Sequence, residues 1–179
     1  MRVLVAHASG YGATQEVAKE IAGVLAHEHQ VDLHPLGQVK SLEPYDAVVI
    51  GSSFRAGRWL GAMNRFLGRF QAELSRKLVV IFTVCLTART QEGSRRVVGE
   101  FMPKLLARFP EVKPLTTEAF GGVLDFQRYS PVLRAMMRRV ATQEGLPTAG
   151  LQDFRDWQAI RQWAQDLSRQ LTPPAPQVP

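Results

Sequence analysis

Ser9, Gly10, Tyr11, Gly12, Ala13 and Thr14 place a hydroxyl at each end of a short turn, with no lysine or arginine between them. Such a turn suits an anion. Glycine lets a backbone curl tightly and come close to a ligand. N–H groups at the start of a helix lack an internal acceptor and attract phosphate. The turn follows the apolar run "RVLVA" and opens the helical stripe Val17, Ala18, Ile21, Val24 and Leu25. A nucleoside-triphosphate loop would need a Gly-Lys-Ser/Thr ending, and this turn has no lysine. The dinucleotide pattern Gly-x-Gly-x-x-Gly is also unmet. Two readings remain: an uncharged cradle of hydroxyls and amides for one terminal phosphate, or a bare turn with Thr14 as a helix cap.

Two further loops carry residues of interest. Ser52, Ser53, Phe54, Arg55, Ala56 and Gly57 follow the apolar run 47–50. Phe54 or Trp59 can cover a ligand ring or pack beneath the loop, since both roles use the same residue type. Thr83, Val84, Cys85, Leu86, Thr87, Ala88 and Arg89 end the most apolar run of the chain and include no aromatic. Cys85 is the single cysteine, which excludes an intramolecular disulfide and a cysteine metal cluster. It has no arginine six residues on, as an anion-cradling phosphatase loop requires, and it reads as a small buried hydrophobe. His7, His27, His29 and His34 have no metal-ligand spacing. His7 is read as structural, and His27 and His29 as a solvated helix end.

The elements that must position these loops alternate. Strands are predicted at 2–6, within "VDLHPL", at 47–50, at 78–84 and within "PLTTEAFGGVL". Helical stripes follow at Val17–Leu25, Leu60–Phe70, Val97–Leu106, "SPVLRAMMRRVA" and Phe154–Leu171, with Pro103 predicting a kink or a late start. Alternation of this kind predicts a parallel sheet with helices on both faces. Strand order 2-1-3-4-5 would place the ligand crevice between strands one and three, beyond their carboxyl ends. One domain is expected over 1–171, with 172–179 a disordered Pro-rich tail.

With 22 Lys and Arg against 16 Asp and Glu, the net charge is +6, which favours acidic partners. The arginines lack the interleaved aromatics of a single-strand nucleic-acid binder. No apolar run reaches the roughly 18 residues of a membrane span. A cytoplasmic protein is expected, with peripheral contact to the inner face of the membrane left open. Arg134, Arg138 and Arg139 oppose Val132, Leu133, Met136, Met137 and Val140, a pattern that fits either a core-packed helix or one lying on anionic lipid.

"SGYGAT" resembles the phosphate loop of flavodoxins, Ser/Thr-x-Thr-Gly-x-Thr, which holds the phosphate of FMN. Ser9, Gly12 and Thr14 match, and Tyr11 replaces a threonine. Within that superfamily "YDAVVIGSSFRAGRW", "FTVCLTAR", "FGGVLDFQRYSPVLRAMMRRV" and "DFRDW" are similar to the bacterial menaquinone-dependent protoporphyrinogen oxidases. The resemblance implies a flavodoxin-like α/β fold with a basic segment added at about 125–150. It implies an FMN-dependent oxidoreductase of haem biosynthesis that oxidises protoporphyrinogen IX and passes electrons to a quinone. Cofactor contacts are then expected from the three loops above. The substrate's propionates would need cations, and Arg55, Arg58, Arg89 and Arg128 are nearest by loop position. Alternatives are a flavodoxin-type electron carrier, which a sequence pI near 10.0 disfavours, and a flavin-free binding protein of the same fold. Self-association is left open.

Overall fold

The computed structural model describes residues 1–172; the expected tail beyond Thr172 lies outside the described residues. Strands β1 (Arg2–Ala8), β2 (Gln30–Pro35), β3 (Ala47–Arg55), β5 (Leu78–Cys85) and β6 (Thr116–Gly121) pair in parallel, in the order β2-β1-β3-β5-β6. This is the flavodoxin-like order expected. Strand β4 (Arg58–Trp59) adds an antiparallel hairpin to the end of β3.

The apolar runs are continuous because both faces of the sheet are covered. Val3, Val5, Ala47, Val49, Val80 and Phe82 pack under α1 (Ala13–Leu25) and α6 (Trp157–Leu171). Leu4, Ala6, Val48, Ile50, Val79 and Ile81 pack under α2 (Gly61–Leu74) and α4 (Met102–Leu106).

Several boundaries differ from expectation. β3 does not stop at Gly51: Ser52 and Ser53 stay in the ladder opposite Ala8, Thr83 and Val84. The helix leading to Pro103 starts early, as α3 (Gln91–Arg96), and passes through a π turn at Val97–Phe101 into α4. That turn absorbs the irregularity the missing proline N–H would otherwise impose. α6 begins at Trp157 rather than Phe154, where the Asp156 carboxylate accepts the Ala159 N–H. His29 is buried rather than solvated, its ring 3.0 Å from the Ser168 hydroxyl.

The added segment builds its own small layer. β7 (Val123–Asp125) and β8 (Leu151–Asp153) pair antiparallel, with α5 (Pro131–Gln143) between them. Leu133 and Met137 of α5 pack onto Leu124, Phe126, Tyr129 and Ala141. Arg155, with a side chain 8% exposed, then locks the segment to α1 by bonding Asp153 at 2.6 Å and Glu16 at 2.7 Å.

Groups held below their ordinary pKa make stability fall on acidification; Asp32, hydrogen-bonded by Arg2, is one, and His7 and Asp153 are two more. Burial of His7 lowers its pKa, so the folded chain resists a proton that the unfolded chain accepts near pH 6.5. The Arg155 hydrogen bond to Asp153 lowers that carboxyl's pKa. All three folded values lie below the unfolded ones. Each group therefore contributes stability above its unfolded pKa and loses it as pH falls toward the folded value. Calorimetry should show the unfolding midpoint begin to drop below about pH 6.5 and drop again below about pH 4. His7→Gln should remove the upper step and Asp153→Asn should shrink the lower. An upper step that survives in His7→Gln would assign it to another group.

Candidate functional site

The loop after β1 is held by its own hydroxyl: Ser9 Oγ accepts the Gly12 N–H at 2.9 Å. Gly12 caps α1 with φ at 96°, a left-handed conformation that glycine adopts without strain. No side chain caps this helix. The N–H groups of Ala13, Thr14 and Gln15 thus form an open positive helix start. Thr14 is fully buried, and its hydroxyl meets Ser53 Oγ at 2.7 Å, tying the loop to the end of β3. The Ser52 hydroxyl, also buried, donates to the Ser53 carbonyl at 3.1 Å. This junction lies at the carboxyl ends of β1 and β3, where strand order reverses.

The cradle is not uncharged, because two arginines from elsewhere reach it. The Arg55 guanidinium lies over the Tyr11 ring at 4.6 Å. It also covers Gly10 so closely that a Cβ there would stand 1.4 Å from its Nη2. Arg128 donates to the Tyr11 carbonyl at 2.7 Å and is held from behind by Asp125 at 3.1 Å. Tyr11 meets the edge of Tyr129 at 5.1 Å. The residue that replaces a threonine is therefore a platform joining the first loop, the β3 loop and the added segment. Glu16, the acid nearest the helix start, is engaged by Arg155. Of the three arginines gathered here, Arg55 alone has no carboxylate partner among the described residues, because Asp125 pairs with Arg128 and Asp153 and Glu16 pair with Arg155.

The remaining loop residues divide by burial. Phe54 is buried, its ring packed 4.5 Å from Trp59 and 5.1 Å from Phe101. Ala56 and Gly57, with φ of 46° and 75°, form the tip of the β3–β4 hairpin. Positive φ at both central residues is the backbone of a type I′ turn. At the end of β5, Thr83 is buried and accepts the Trp59 indole N–H at 3.2 Å. Val84, Cys85 and Ala88 are buried, and burial pushes the Cys85 thiol pKa up, which keeps it neutral. Leu86 packs against the added segment, and Thr87–Arg89 forms a 3-10 turn.

Of the four arginines read as substrate contacts, Arg55 and Arg128 gather on the first loop. Arg89 is paired with Glu144 at 2.6 Å, and Arg58 faces a separate groove. On α5, Arg134 and Arg138 donate to carbonyls of their own segment, at Tyr129 and Thr148. Val132, Met136 and Val140 stand exposed beside Arg139. No helix among the described residues is long and apolar enough to cross a membrane.

Residues 4–149 match the family model described as a flavodoxin domain. Protoporphyrinogen IX dehydrogenase (quinone) of Leishmania major is 26% identical over 99% of this chain and 80% of its own length. The protein of that name in Escherichia coli K12 is 24% identical over 94% of this chain and 95% of its own. Oxidised flavodoxin 1 of Bacillus cereus superposes with a TM-score of 0.60 at 18% identity, over 96% of this chain and 100% of that one.

Proposed function

Because the chain belongs to the flavodoxin domain family, we propose that it is an FMN-dependent oxidoreductase that oxidises protoporphyrinogen IX and reduces a quinone. The observation that carries the reading is the convergence of the open α1 start, Arg55 and Arg128 on one loop at the strand-order reversal. A terminal phosphate needs N–H donors and positive charge, and these residues supply both. FMN, when bound, would supply a centre that takes two electrons from a reduced substrate and hands them on. Each cycle removes two electrons and two protons from the porphyrinogen and adds two of each to the quinone.

The chain's own residues bind and orient. Ser9 and Gly12 hold the loop open, and the Ser53–Thr14 bond fixes its distance from β3. Because the Phe54 ring is packed away, flavin contacts at 54–57 fall to the backbone of the hairpin. The backbone of 83–89 would border the other side of the ring, braced by the Trp59–Thr83 bond. Quinone reduction would occur against anionic lipid, with Val132, Met136 and Val140 entering the surface and Arg139 facing head groups.

Titration with FMN should quench flavin fluorescence to a one-to-one endpoint. The loaded protein should then oxidise protoporphyrinogen IX anaerobically when a quinone is supplied. Met136→Asp should slow turnover with vesicle-borne quinone and leave turnover with a water-soluble quinone unchanged. Absence of saturation at tens of micromolar FMN would overturn the reading.

A further inference from the structure

We infer that the groove beneath the β3–β4 hairpin is a carboxylate-binding subsite, distinct from the phosphate loop, that receives the acidic side arms of the substrate. The identity of the substrate rests on the reading above; the anion chemistry does not.

The groove encloses about 290 Å³ between the hairpin, α2 and α4. Arg58, Lys104 and Arg108 line it with Asn64, and Trp59 and Leu105 form an apolar wall. Among the described residues, none of the three cations is paired with a carboxylate. Glu100, the acid nearest in sequence to Lys104, is engaged by Arg96. Arg108 is oriented by its bond to Asn64 Oδ1 at 3.0 Å. Unpaired cations gathered on one cavity repel each other, and an anion relieves that repulsion.

The hairpin supplies a second, independent sign. Arg55 and Arg58 stand directly opposite each other across it. Like charges in that relation destabilise a strand pair. The left-handed Ala56 adds strain that a glycine would avoid. Both costs are offset if each arginine serves its own anion, Arg55 at the phosphate loop and Arg58 in the groove.

The chemistry of the wall selects a carboxylate on an aliphatic stem rather than a bare inorganic ion. Such an arm sets its methylenes on Trp59 and Leu105 and its oxygens on the cations. On this assignment the arms enter the groove and the tetrapyrrole ring remains outside it. Trp59 also donates to Thr83 near the carboxyl end of β5, which ties the wall of the groove to the strand ends of the sheet. Arms held here would lay the macrocycle along the hairpin, edge-on to the crevice.

The test uses the FMN-incubated full chain and two stable oxidised porphyrins, protoporphyrin IX and its dimethyl ester, with binding followed by porphyrin fluorescence. The diacid should bind at least about tenfold more tightly than the ester. Lys104→Glu with Arg108→Glu should abolish that preference without changing FMN affinity. Lys104→Arg with Arg108→Lys should retain it. Equal binding of diacid and ester, or parallel loss of both in the charge-reversed variant, would overturn the subsite. If FMN fails to bind but the diacid preference and its loss persist, the groove stands and the flavin reading falls. The reverse pattern removes the groove alone.

Discussion

Ser9→Asp should weaken FMN binding by at least about 100-fold while leaving riboflavin binding within about twofold. Asp can accept the Gly12 N–H as Ser9 does at 2.9 Å, so the loop keeps its shape. What changes is charge. A phosphate monoester carries close to two negative charges near neutral pH. A unit charge about 4 Å away in a partly screened site opposes each by about 4 kcal/mol, and tenfold in affinity needs only about 1.4 kcal/mol. Ser9→Ala loses the loop's internal bond and a neutral hydroxyl donor but adds no charge, and its effect should be several-fold. Arg128→Ala removes a charge-assisted donor, about 1.5–3 kcal/mol, and should cost roughly tenfold to 100-fold. Its FMN affinity should also depend less on salt. Isothermal titration with both flavins checks the series. Riboflavin lacks the phosphate, so a parallel loss of riboflavin would mean that the loop had collapsed. An FMN affinity untouched by Ser9→Asp would place the phosphate elsewhere.

That site is half legible in the sequence. The loop's glycines and hydroxyls are local, and the strand before it is apolar on both faces, so its place at a strand end can be read directly. Arg55 and Arg128 can be picked out as loop cations near the ligand, but not their meeting on the first loop. Arg128 lies 117 residues from the Tyr11 carbonyl it binds, and nothing in its neighbours marks the contact. Tyr11 reads as a missing hydroxyl until Arg55 and Tyr129 are brought against it. Lys104 and Arg108 are spaced four apart, as on any solvated helix face, and only the hairpin sets Arg58 beside them. The strand order was within reach because the runs at β1, β3 and β5 are continuously apolar. The end of β3 was not: a glycine and two serines look like a stop, and ladder bonds on both sides carry the strand through them.

Gly51 is where that extension has a structural condition, and Gly51→Ala should destabilise the fold by about 3 kcal/mol, at the upper end of ordinary overpacking. A Cβ there would stand 2.1 Å from Cζ of Phe82, whose ring is fully buried. The ring has little room to move, with Phe120 at 6.3 Å and Trp163 at 6.4 Å. Nor can the backbone retreat, because β3 is laddered to β1 on one side and β5 on the other. A loss of this size should lower the thermal midpoint by roughly 6–12 °C. Phe82→Ala alone should cost about 3–5 kcal/mol through the cavity it leaves. The double variant should be no less stable than Phe82→Ala, since the new methyl enters space the ring has vacated. That is a strong departure from additivity, as expected for groups in direct contact. Additive losses would mean that Gly51 is needed for its backbone and not for the ring above it. The same series reads the site, because Ser52 and Ser53 follow on the same strand. If the ring pushes β3 outward in Gly51→Ala, the Ser53–Thr14 contact at 2.7 Å opens, and FMN affinity should fall with stability and return in the double variant.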